Sequence, residues 1–68
     1  MTKTAFIEQA ISAGWIPQKS PAGQRRLFKG KKRLRLEKTY GFLDNYNGEV
    51  WQTEGIFSFA KMQVNPFI

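Results

Sequence analysis

The sequence predicts an α+β fold, with an N-terminal helix packed on a small antiparallel sheet of three or four strands. Phe6, Ile7, Ala10 and Ile11 recur at helical spacing near the start of the chain. Leu34 and Leu36 alternate with Arg33 and Arg35, the period of a half-buried strand. Gly30-Lys31 and Asn47-Gly48 are turn signals that join strands into hairpins. Sixty-eight residues form one domain, 1–68, near the size at which a single core just suffices. With no cysteine to cross-link it, the chain must draw its stability from packing. Ten aromatic residues are the main source, each able to bury roughly 150–250 Å².

The spacing predicts a helix over residues 3–14. Thr2 or Thr4 can cap its start, Gly14 suits the left-handed residue after its end, and Pro17 stops it from resuming. Trp15 and Ile16 are expected to fold back onto its apolar face. Residues 17–24, with two prolines, a glycine and no apolar period, read as a loop. A two-residue type II′ turn at Gly30-Lys31 sets Leu27 opposite Leu34, Phe28 opposite Arg33 and Arg26 opposite Arg35. Leu27, Leu34 and Leu36 then share the core face, and Arg26, Phe28, Arg33 and Arg35 share the other. A three-residue loop would exchange Leu27 for Phe28.

The even positions carry the same strand on through Tyr40 and Phe42, with Lys38 as a misfit. Asn47-Gly48 closes a second hairpin of two or four loop residues, and either length sets Trp51 on the face of Phe42. After Glu54-Gly55, residues 56–62 alternate as a further strand, with a short helix as the competitor. Residues 65–68 form a tail that either docks or frays.

Charge narrows the partner. Nine of the eleven cations fall between Lys19 and Lys38 with Glu37 as the only acid, so that window carries +8 and the rest of the chain −2. A basic block this dense repels itself and calls for a polyanion. Exposed charges on a strand face need no partner when few, but here Arg26 would sit opposite Arg35, which destabilises a sheet. Arginine forks match phosphate geometry. The expected function is therefore non-catalytic binding of nucleic acid, DNA or RNA, through a basic hairpin face. Its contacts would be Arg25, Arg26, Lys29, Lys31, Lys32, Arg33, Arg35 and Lys38, with Tyr46 exposed in the second hairpin loop as a stacking ring. Phe28, Tyr40 and Trp51 would favour single strands if exposed, against a core role for each. The alternative is a small interaction or inhibitor module that docks an acidic surface on a larger protein, anchored by Phe28, Trp51 or Phe67.

The composition argues against an enzyme. Without histidine or cysteine there is no common general base, no thiol nucleophile and no usual transition-metal set, and the five acids are scattered. Asp44 and Glu49 flank the second turn and would serve to keep it solvated. No cofactor or metal is implied. No apolar run approaches a membrane span, and the start is too short and polar for a signal peptide, so a cytoplasmic protein is the expectation.

The stretch Phe6 to Trp15, followed by Gly23 to Lys29, is similar in cadence to small HicA-type toxins, which have a helix, an Ala-Gly-aromatic stop and a strand after a glycine. The catalytic histidine that such toxins carry just after that glycine is absent here. The resemblance thus implies no activity, only that a helix on a basic three-stranded sheet can hold RNA or DNA.

Overall fold

In a computed structural model of residues 1–68, the helix α1 spans Lys3–Ser12 and begins where Thr2 accepts the amide of Ala5 at 3.1 Å. It ends two residues earlier than the spacing predicts. The amide of Ala13 turns back to Gln9 and Ala10, and Gly14 takes φ +101°, a value that suits glycine. Five strands follow: β1 Ile16–Lys19, β2 Arg25–Lys29, β3 Lys32–Leu36, β4 Tyr40–Tyr46 and β5 Trp51–Ser58. They form one antiparallel meander in the order β1-β2-β3-β4-β5.

The expected architecture of a helix on three or four strands is therefore corrected: the fold is mostly β, with one short helix and a five-stranded sheet. The same holds for the three-stranded sheet that the resemblance implied. Two strands account for the difference. β1 occupies residues expected to be a loop. All four of its side chains are exposed, so no alternation marks it, and Pro17 is tolerated because β1 is an edge strand. The strand expected to run on from Leu36 through Phe42 instead reverses at 37–39, closed by the Glu37 amide on the Tyr40 carbonyl at 2.8 Å. That reversal pairs Arg35 with Phe42 and Leu36 with Gly41, so Tyr40 and Phe42 leave the leucine face and join the arginine face.

Both hairpins close at the expected turns, the first with the two-residue loop that Gly30 suits and the second with the longer of its two expected loops. Gly30 takes φ +59° while Lys31 stays at negative φ, and Leu27 pairs with Leu34, Phe28 with Arg33 and Arg26 with Arg35. The second loop has four residues, 47–50, between the pair Tyr46 and Trp51. The Asn47 side chain accepts the amides of Glu49 and Val50, and Trp51 shares the face of Phe42. Glu54-Gly55 does not end β5. Gly55 pairs with Leu43 and Thr53 with Asp44, so Glu54 is the extra residue of a bulge inside one continuous strand.

One sheet face is covered. Leu27, Leu34 and Leu36 meet Phe6, Ile7 and Ala10 of α1, together with Trp15 and Phe59. Phe6 is the hub, with its ring 5.4 Å from Phe57, 5.1 Å from Phe59 and 6.0 Å from Phe67. Gly41 is what lets Phe57 in: a Cβ there would lie 2.5 Å from Phe57 Cζ. Ile11 and Ile16, expected on the apolar face, are 43% and 59% exposed, Ile16 because it opens β1 on the opposite side. The C-terminal residues dock. Trp15 Nε1 donates to the Phe67 carbonyl at 2.8 Å, and buried Asn65 donates to the Phe6 carbonyl and accepts the Phe67 amide. No helix is long and apolar enough to cross a membrane.

Candidate nucleic-acid interface

The other sheet face has no element over it. Strand alternation puts Ile16, Gln18, Arg26, Phe28, Arg33, Arg35, Phe42, Asp44, Tyr46, Trp51, Thr53 and Ile56 there. Its centre is a layer of arginines and aromatic rings laid over one acid. Asp44 is fully buried, in the middle of the face. Its Oδ2 accepts Arg33 Nε at 2.7 Å and Arg35 Nε at 2.6 Å, and Arg33 Nη2 also lies 2.7 Å away. Its Oδ1 accepts the Thr53 hydroxyl at 2.9 Å and Arg35 Nη2 at 3.2 Å. Thr53 in turn accepts from Arg35 Nη2 at 3.0 Å.

Burial works to raise the Asp44 pKa. The hydrogen bonds from Arg35, Arg33 and Thr53, with the charge of Arg35, outweigh it and hold the carboxyl below its ordinary value. The network also answers the repulsion expected between Arg26 and Arg35. Arg35 turns away, toward the next strand.

Aromatic rings complete the layer. The Arg33 guanidinium lies 4.4 Å from the Trp51 ring centre and that of Arg35 lies 4.5 Å from Phe42. Phe28 and Tyr46 flank Trp51 at 5.9 and 5.2 Å, and Tyr40 meets Phe42 at 5.5 Å. All of these rings are part-buried except Tyr40, which is 39% exposed. Arg26 stands apart. It pairs with no acid, and its Nε is buried without an acceptor.

The residues expected to form one basic face are divided between two. Arg26, Arg33 and Arg35 lie on the open face, but Arg33 and Arg35 are committed to Asp44. Arg25, Lys29 and Lys32 alternate onto the helix side of β2 and β3. Lys29 Nζ donates to the Ala13 carbonyl at 2.7 Å, at the C-terminal end of α1 where a cation is favoured, and Lys32 pairs with Glu54 at 3.0 Å. Lys31 and Lys38 sit exposed in turns. Tyr46 is the last residue of β4 rather than a loop residue. It is part-buried against Trp51, with its hydroxyl donating to the Gly48 carbonyl at 3.1 Å.

Sequence reasoning missed the part played by Asp44 and Thr53, because it set Asp44 at the edge of a solvated turn. The signal was present in the alternation: an acid on β4 falls opposite Arg33 once β3 and β4 are paired. Comparison with protein-family models, curated proteins and solved structures finds no match to this chain.

Proposed function

We propose that this protein binds nucleic acid without catalysis, and that single strands lie across its open sheet face. The observation that carries this reading is the uncovered face itself, where Phe28, Phe42, Tyr46 and Trp51 interleave with three arginines and Arg26 is left uncompensated. Bases stack on aromatic rings for about 1–3 kcal/mol each, whatever their identity. Arg26 on that face and the exposed turn lysines Lys31 and Lys38 supply the counterion-releasing contacts to phosphate, since Arg25, Lys29 and Lys32 face the helix side. Such a protein acts in the cytoplasm, where it meets its nucleic acid.

Fluorescence anisotropy with labelled single-stranded DNA, duplex DNA and RNA at three salt concentrations tests this. Trp51→Ala should weaken single-strand binding by roughly five- to a hundredfold, equivalent to the loss of one stacked base. Circular dichroism would verify that the variant is folded. Absence of binding to every probe at low salt would sink the reading. The second reading is docking to an acidic protein surface. It draws on Ile16 and Ile56, 59% and 67% exposed at the two edges of the same face, since apolar anchors beside charges suit a protein partner. Phe67, the third anchor that the sequence offers it, is part-buried against the core instead. Saturation by one protein at 1:1 with little salt dependence would favour it.

A further inference from the structure

We propose that the helix side of the molecule carries a separate phosphate-binding cleft, formed where the first turn of α1, the β1–β2 loop and the β3–β4 turn converge. The site deepens the nucleic-acid reading, yet it can be tested without nucleic acid. The cleft is broad and open, with a volume of ≈ 680 Å³, and Lys3, Lys19, Arg25 and Lys38 line it. None of the four forms an ion pair anywhere in the structure. The single acid in the lining, Glu37, accepts the Gln24 side-chain amide at 2.6 Å.

Three of the four cations are placed where they disfavour the fold when no anion is bound. Lys19 lies directly opposite Arg25 across the β1–β2 pair, a like-charge arrangement that destabilises a sheet. Lys3 stands in the first helical turn, which holds no acid and where a cation faces the positive end of the helix dipole. Lys38 follows β3 in a three-residue reversal and brings a further charge to the same lining. An anion bound in this lining would offset the charge of all four. Phosphate fits best, because it offers several acceptor oxygens to one guanidinium fork and three ammonium groups.

The walls are already held in place. The Ser20 amide donates to the Gln24 carbonyl at 2.8 Å, Ser20 Oγ accepts the Gln24 amide at 3.0 Å, and the Gln24–Glu37 bond ties this loop to the end of β3. Lys19 and Arg25 of the cleft also have their chain neighbours on the open face. Gln18 and Lys19 are consecutive on β1, and Arg26 and Arg25 on β2, and each pair points to opposite sides of the sheet. A strand leaving Arg26 therefore needs to cross only the outer strand to place a phosphate in the cleft. The same oxygens could come from a small phosphorylated ligand, and the experiment separates the two sources.

The test titrates the ¹⁵N-labelled full chain with inorganic phosphate and with pyrophosphate, followed by amide chemical shifts. Shifts should concentrate at Lys3, Thr4, Gly23 to Arg25 and Lys38. Lys19→Ala with Arg25→Ala should weaken the response about tenfold or more. Lys61→Ala with Val64→Glu, which lowers the net charge equally at exposed positions outside the cleft lining, should change it less than about twofold. Shifts scattered over all cations, or retained in the Lys19/Arg25 variant, would overturn the site. If that variant also loses affinity for single-stranded DNA, the phosphate belongs to the strand. If affinity is unchanged while the phosphate response is lost, the cleft stands and takes a small phosphorylated ligand. A phosphate response in a protein that binds no nucleic acid would refute the open-face reading and leave the cleft intact.

Discussion

Replacing Asp44 by asparagine should be among the most damaging conservative changes available to this chain. Asparagine keeps the volume and one acceptor, but it leaves the Arg33 and Arg35 guanidinium groups facing each other without a counter-charge. Removing one partner of a buried ion pair costs about 3–5 kcal/mol. Here the arginine side chains keep 14% and 25% of their exposure, so water screens part of the repulsion, and about 2–3 kcal/mol is the expected loss. A domain of this length holds roughly 3–10 kcal/mol in all, so the melting temperature should fall by roughly 10–20 °C.

Urea unfolding followed by tryptophan fluorescence is the assay, since Trp15 reports from the core and Trp51 from the open face. The pH dependence adds a signature. Because the folded-state pKa of Asp44 is depressed, its stabilisation is complete above the unfolded carboxyl pKa of about 3.9 and is lost as pH falls through the folded value. The gap between wild type and Asp44→Asn should therefore be widest near neutrality and close below about pH 4. A loss under about 0.5 kcal/mol at pH 7, or a gap independent of pH, would refute the claim that this network stabilises the open face.

Two further substitutions test the covered side. Gly41→Ala drives a Cβ to 2.5 Å from Phe57 and should cost about 1–3 kcal/mol in urea unfolding, whereas Gly55→Ala, with nothing within 4 Å, should stay within about 0.5 kcal/mol. Equal effects would mean that Phe57 does not lie over Gly41. Asn65→Ala removes the acceptor of the Phe67 amide and leaves the Phe6 carbonyl without its side-chain donor. It should cost about 1–3 kcal/mol and speed amide exchange at Phe67, and unchanged exchange would show that the C-terminal residues are not held this way.

What was legible in the sequence was what local chemistry decides alone. Gly30 and Asn47-Gly48 mark where the chain reverses; the facing of Trp51 then follows for either loop length, and that of Leu27 and Leu34 follows from the two-residue loop that Gly30 suits. The helix start follows from Thr2 in the same way. Two elements depend on partners that the sequence does not display. β1 has no buried side chain and exists through its hydrogen bonds to β2. The reversal after Leu36 runs through Glu37-Lys38-Thr39, which holds none of the usual turn residues, so a pattern of even positions runs straight through it and misplaces Tyr40 and Phe42. The candidate site was legible as a density of charge but not as a shape. Asp44 reads as a loop acid until β4 is paired with β3, and only then does it become the residue that holds two of the nine clustered cations.

That division of charge has a measurable consequence for binding. Arginines and lysines adjacent in sequence point to opposite faces, so no ligand lying flat on the sheet can touch the whole basic block. On the open face Arg26 is free of an acid, and Arg33 and Arg35 offer only the charge that Asp44 leaves uncompensated. A single strand confined there would neutralise about one to three charges, and log K would fall against log salt with a slope of about −0.7 to −2. A strand that also crosses the β1 edge into the cleft adds Lys3, Lys19, Arg25 and Lys38, and the slope should steepen to about −3.5 or beyond. Trp51→Ala removes stacking without removing charge, so it should lower affinity at every salt concentration and leave the slope alone. Lys19→Ala with Arg25→Ala should also change the slope, flattening it by about 1.4, so that its loss of affinity is largest at low salt. A loss of affinity at constant slope thus reports on the open face and a flattened slope on the cleft, and only a ligand that spans both will respond to both substitutions.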